Sequence, residues 1–116
     1  MLARLSRLTQ RRIVRLAATL RGVAGYTGRG AVRAETRHDG NRRIDADLSG
    51  IAGLKAEVVV KHAPVGALAC RDGMANGRLE SVHGAPIPDL QPGDTIEIRQ
   101  NGVTVLRGVF ALAPIR

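Results

Sequence analysis

The sequence predicts an all-β domain, a small antiparallel sandwich or barrel of about seven strands, preceded by an N-terminal amphipathic α-helix. Three observations carry this expectation. From Gly30 onward apolar and polar residues alternate with a period of two. Turn signals containing Gly, Asp or Asn recur between the alternating runs. Residues 2–24 instead space their apolar residues three or four apart, with arginines between them. At 116 residues the chain is the size of one domain, divided into a helix over 1–24, a linker over 25–30 and a β domain over 31–116.

The helix expectation rests on segregation. Leu2, Leu5, Thr9, Ile13, Leu16, Leu20 and Val23 fall on one stripe, while Arg4, Arg7, Arg11, Arg15 and Arg21 fall opposite. Arg12 and Val14 are the exceptions. Gly22 to Gly25 would stop the helix, and Tyr26-Thr27-Gly28-Arg29-Gly30 reads as the linker. The charge of the chain follows the same division. Of the net +8, all sits in residues 1–34, which hold eight arginines and no acid, whereas residues 35–116 balance ten basic residues against ten acidic ones.

The β domain opens with a hairpin. Val32, Ala34 and Thr36 alternate with Arg33, Glu35 and Arg37; after His38-Asp39-Gly40, Ile44, Ala46 and Leu48 alternate with Arg43, Asp45 and Asp47. A three-residue loop with Gly40 left-handed sets Glu35 opposite Arg43 and Arg33 opposite Asp45, two opposite-charge pairs. Asp45 and Asp47 then belong to a solvated strand face rather than to a carboxylate pair for catalysis. Leu54 to His62 reads as the next strand, and Ala63-Pro64-Val65-Gly66 as a break. Ala67–Arg71 and Met74–Val82 form a hairpin whose turn is either Asp72-Gly73 or Asn76-Gly77. Past a proline-containing loop, Thr95–Arg99 and Val103–Ala111 pair through Gln100 to Gly102, with Ile96 opposite Leu106, Ile98 opposite Thr104 and Gly108 marking a bulge.

The segment Ala85-Pro86-Ile87-Pro88-Asp89-Leu90-Gln91-Pro92-Gly93-Asp94-Thr95-Ile96-Glu97-Ile98-Arg99, closed by Gly108-Val109-Phe110, resembles small uncharacterised bacterial β-sandwich-like domains. The likeness spans residues 30–112 together with the arginine-rich hairpin and the Val-rich strand. It implies a sandwich-like fold and brings no activity and no site residue with it.

Searching the residues for chemistry yields no catalytic constellation, no cofactor motif and no metal-ligand spacing. Cys70 is alone, which excludes an internal disulfide, and its alternation with Leu68 places it on the inner face as a small apolar residue. His38, His62 and His83 are scattered over turns and strand ends. Tyr26 and Phe110 are the only aromatic residues, which argues against a stacking platform for bases in the β domain. No run reaches the roughly 20 apolar residues of a membrane span. Arg11, Arg12, Arg15 and Arg21 interrupt any apolar core of a secretory signal, favouring a cytoplasmic or membrane-peripheral location.

The function expected is non-enzymatic: an interaction or assembly module in which the helix docks the β domain to a protein partner or to a second copy through Leu5, Ile13, Leu16 and Leu20. The alternative is binding of nucleic acid or an anionic membrane through Arg4, Arg7, Arg11, Arg15 and Arg21, with Arg29 and Arg33 extending the basic stretch. A cleaved targeting segment is a further reading of residues 1–24. No cofactor, metal or small-molecule substrate is inferred.

Overall fold

Leu16, Ala18 and Leu20 are buried, whereas Arg15, Thr19 and Arg21 between and beside them face solvent. That period of two makes Val14–Gly22 a strand, β1. The computed structural model describes residues 13–113, and over its described part the predicted helix of residues 1–24 is corrected. Leu5, Arg4, Arg7 and Arg11 lie outside the described residues. The cause of the difference is spacing. Leu16 and Leu20 are four apart, which fits one helix face and one strand face equally, and the alanines between them carry little signal of either period. Buried in a barrel, each leucine contributes about 1.5–3 kcal/mol relative to exposure.

The predicted linker is likewise part of the fold. Tyr26 N–H donates to the Val23 carbonyl at 3.0 Å, with Ala24 and Gly25 at φ 53° and 88°. Two positive φ values inside a four-residue turn are the type I′ geometry that matches strand twist. Gly22 is required beneath it, because a Cβ there would collide with the Tyr26 carbonyl oxygen. Arg29–Thr36 (β2) then pairs with β1 along its whole length, from Val14 opposite Thr36 to Arg21 opposite Arg29.

The first predicted hairpin stands as expected. Arg42–Ser49 (β3) returns from the His38-Asp39-Gly40 loop with Glu35 opposite Arg43 and Arg33 opposite Asp45. Gly40, at φ 86°, donates its N–H to the Arg37 carbonyl. Lys55–Val60 (β4) and Ala63–Ala69 (β5) form a tighter hairpin than the sequence indicates. Its turn is Lys61-His62, both left-handed, so Ala63 to Gly66 continue the sheet and do not break it. Met74–Glu80 (β6) follows the Asp72-Gly73 turn, but the expected hairpin is corrected: beyond an isolated Arg71–Met74 bridge, β6 pairs with β3 and not with β5. A 3₁₀ turn, Ser81–His83, leads into the proline-containing segment, whose Ile87 and Leu90 are buried against the core.

Thr95–Gln100 (β7) and Val103–Val109 (β8) complete the main ladder, and Ala111–Leu112 (β9) adds beside β1. Their expected register is corrected by the two-residue Asn101-Gly102 turn and by Val105, an extra residue that sets Ile98 opposite Leu106 and Arg99 opposite Thr104. Gly108 lies in regular pairing opposite Ile96 and is not a bulge. A Cβ there would come within 2.6 Å of the Thr19 carbonyl oxygen of β1.

Neighbouring strands run in the order β5-β4-β7-β8-β1-β2-β3-β6, every pair antiparallel. The result is a near-closed barrel. Its seam lies between β5 and β6, where Gly66 and Gly77 each accept a leucine from across the gap. A Cβ on Gly66 would lie 2.8 Å from Leu79, and one on Gly77 2.7 Å from Leu68. Val32, Ile44, Leu48, Val58, Ile96, Ile98, Leu106 and Phe110 fill the interior with β1's leucines. Among the described residues no helix is long and apolar enough to cross a membrane.

Candidate functional site

The outward face of β1, β2, β3 and β6 is a grid of charges whose two ends differ. At one end, Arg15, Glu35, Arg43 and Glu80 occupy one row across the four strands, alternating in sign. Glu35 accepts from Arg15 Nε at 2.9 Å, Arg43 at 3.0 Å and Arg37 at 3.1 Å. The hydrogen bond from Arg15, then the charges of Arg43 and Arg37, hold its carboxyl below the usual glutamate range against the opposing effect of burial. One row inward, Asp45 accepts from Arg78 Nε at 2.6 Å. This face is therefore a solvated, ion-paired one.

At the other end the logic reverses. Arg21 stands directly opposite Arg29 on β2 and directly opposite Arg107 on β8, so three arginines cross three adjacent strands in one row. Like charges in that position oppose pairing by up to about 1 kcal/mol. Arg107 is neutralised by Glu97, its partner on β7, at 3.0 Å. Glu97 is buried and also accepts from Arg99 at 2.7 Å. That bond is the main cause of its lowered pKa, ahead of the contribution from Arg107 and against the effect of burial. Arg21 and Arg29 make no side-chain hydrogen bond or ion pair among the described residues, and neither does Arg33, which lies further along β2 opposite Asp45.

Beside this row the β1–β2 turn encloses an open depression of about 390 Å³, lined by Arg21, Tyr26, Thr27, Gly28 and Arg29. Tyr26 is half exposed, whereas Phe110, the other aromatic residue, is buried. Two uncompensated guanidinium groups, the Tyr26 phenol and the Thr27 hydroxyl share one rim. Such donors suit an oxyanion, since arginine forks bind phosphate oxygens in pairs.

The residues singled out in the sequence are dispersed by this arrangement. Leu16 and Leu20, expected on a partner-binding stripe, are core residues at 2% and 0% exposure, and Ile13 is exposed just ahead of β1. Arg15 is tied to Glu35, whereas Arg21 joins the uncompensated row together with Arg29. Arg107 and Tyr26 were not indicated. Arg107 meets Arg21 only because β8 pairs with β1, a contact between the two ends of the chain with no local sequence signal.

Cys70 is buried, and burial pushes its thiol pKa up, away from the range of a reactive thiolate. Among the described residues no group of three or more His, Cys, Asp or Glu side chains is placed to hold a metal ion. His38, His62 and His83 lie on the β2–β3 loop, the β4–β5 turn and the 3₁₀ turn, respectively. No protein-family model matches the chain, and no curated protein matches it.

Proposed function

We propose that the chain is a non-enzymatic binding module that attaches to a phosphate-bearing anionic partner through arginines on its barrel wall. One observation carries the reading: Arg21 and Arg29 face each other with no ion-pair partner among the described residues, while at the opposite end of the same hairpin Arg15 is paired with Glu35. A fold that alternates charges where it can has left this row positive at a cost to pairing, and an external anion would supply the missing charge. The sequence places Arg4, Arg7, Arg11 and Arg12 ahead of β1, which adds to the net positive charge of the chain. Docking to a protein partner through an apolar stripe has weaker support, because Leu16 and Leu20 are spent on the core.

Binding of a fluorescent heparin oligosaccharide, a general polyanion, tests this reading. Affinity should fall steeply with salt, and Arg21→Gln with Arg29→Gln should weaken it without lowering the unfolding transition. Binding insensitive to salt, or unchanged in the double variant, overturns the proposal.

A further inference from the structure

The connections β1–β2, β3–β4, β5–β6 and β7–β8 share one end of the barrel, because every neighbouring pair of strands is antiparallel. That end presents apolar side chains to water. Tyr26 is 48% exposed, Val103 at the start of β8 is 46% exposed, and Leu54, the last residue of the β3–β4 connection, is 86% exposed. Leu54 is held there by its neighbours. Gln100 Nε2 donates to the carbonyls of Ala52 at 2.5 Å and Lys55 at 3.0 Å, and the Leu54 carbonyl accepts from Cys70 N–H at 2.9 Å. The backbone is thus fixed on both sides of a leucine that has no packing of its own. Tyr26, Ala52 and Gln100 line a common depression of about 200 Å³, so the β1–β2 and β3–β4 connections adjoin each other and the end of β7. Arg21 and Arg29 lie on the wall beside them, and Lys55 adjoins Leu54.

Apolar tips in front of uncompensated cations match a specific surface. At an anionic bilayer the leucine and valine enter the boundary between headgroups and acyl chains, a tyrosine sits at headgroup level, and the cations meet lipid phosphates. A polynucleotide would engage the arginines and Tyr26 and give Leu54 and Val103 nothing to do. We infer that this end of the barrel docks on anionic membrane, with Leu54 as the inserted residue. The inference rests on the anionic-partner reading above and narrows that partner to a lipid surface.

The chain has no tryptophan, so Leu54→Trp places a single reporter at that position. With phosphatidylserine-containing vesicles its emission should shift to the blue and be quenched by brominated acyl chains, and phosphatidylcholine vesicles should leave it unchanged. In vesicle flotation of the full chain, Leu54→Ser should weaken binding roughly tenfold, and Arg21→Gln or Arg29→Gln about fivefold each. Leu54→Ser should leave binding to heparin as it was. If heparin binds through the arginines but the vesicles leave the emission of the Leu54→Trp variant unmoved, or duplex DNA binds more tightly than vesicles, the membrane inference fails and the anionic-partner reading survives. If neither heparin nor vesicles bind, both fail.

Discussion

Arg21 lies directly opposite Arg29 across the β1–β2 ladder, and on its other side it meets Arg107. A cation between two cations should make position 21 improvable for stability. Arg21→Glu is expected to raise the unfolding free energy by about 0.5–1 kcal/mol at low ionic strength. The gain should shrink in high salt, as expected for an exposed pair. Denaturant unfolding at two salt concentrations measures it. The same variant should lose heparin binding. A variant that is both less stable and still binding would show that the row has a structural role.

Glu35 and Glu97 both have pKa values held below the ordinary glutamate value of 4.5, by hydrogen bonds from Arg15 and Arg99 respectively before any other cause. A lowered folded-state pKa means that the stabilisation is complete above the unfolded-state value and is lost as pH falls through the folded-state one. The barrel should therefore hold its stability from neutrality down to the ordinary glutamate range and lose it progressively below. Glu97→Gln removes a charge that joins Arg99 and Arg107, at a cost of about 2 kcal/mol near neutrality. Urea unfolding at about pH 7 and about pH 3 should show the gap between variant and parent narrowing in acid. A gap independent of pH would locate the effect elsewhere.

The Lys61-His62 turn places two residues with side chains at φ 49° and 67°. Left-handed backbone costs a non-glycine residue roughly 1–2 kcal/mol. Lys61→Asn combined with His62→Gly supplies the preferred pair for a type I′ turn and should stabilise the domain by about 1 kcal/mol or more. A rise in thermal midpoint checks this. Lys61 approaches Asp94 only at 4.0 Å, so little is lost with its charge.

The seam between β5 and β6 gives a test by compensation. Gly66→Ala would drive a methyl group into Leu79 and should destabilise by about 1–3 kcal/mol. Leu79→Ala alone should also destabilise, by leaving a void. Combined, the two should cost less than their sum, because the new methyl group occupies space the leucine vacates. Strict additivity in the double-mutant cycle would mean that the two positions do not meet.

What the sequence disclosed depended on how local the determinant is. The β2–β3 register was legible because one glycine fixes the loop and two charge pairs confirm the pairing. The β7–β8 register was not, since the only mark of the extra residue is the adjacent apolar pair Val105-Leu106, and Gly108 is the more familiar sign of a bulge. Lys61 and His62 carry no turn signature, which moved the expected break onto Pro64, a residue the edge strand β5 tolerates. For β1, a four-residue spacing of leucines and helix-favouring alanines outweighed the true period, and only pairing with β2 and β8 decides it. The candidate site was half visible. Arg21 and Arg29 were within the basic stretch, but their lack of counter-charge and the exposure of Leu54 exist only in the folded chain.

The place of β1 in the ladder has a consequence for synthesis. It is the first strand of the described barrel to leave the ribosome, yet on the side away from β2 its neighbours are β8 and β9, far along the chain. At translation rates of about 5–20 residues per second, β1 can join β2 and β3 seconds before β8 emerges. For that interval the nascent meander has an open edge at β1 whose inner face carries Leu16 and Leu20. Release of the C-terminal hairpin, rather than any early step, is the event that shields this edge from pairing with another nascent chain.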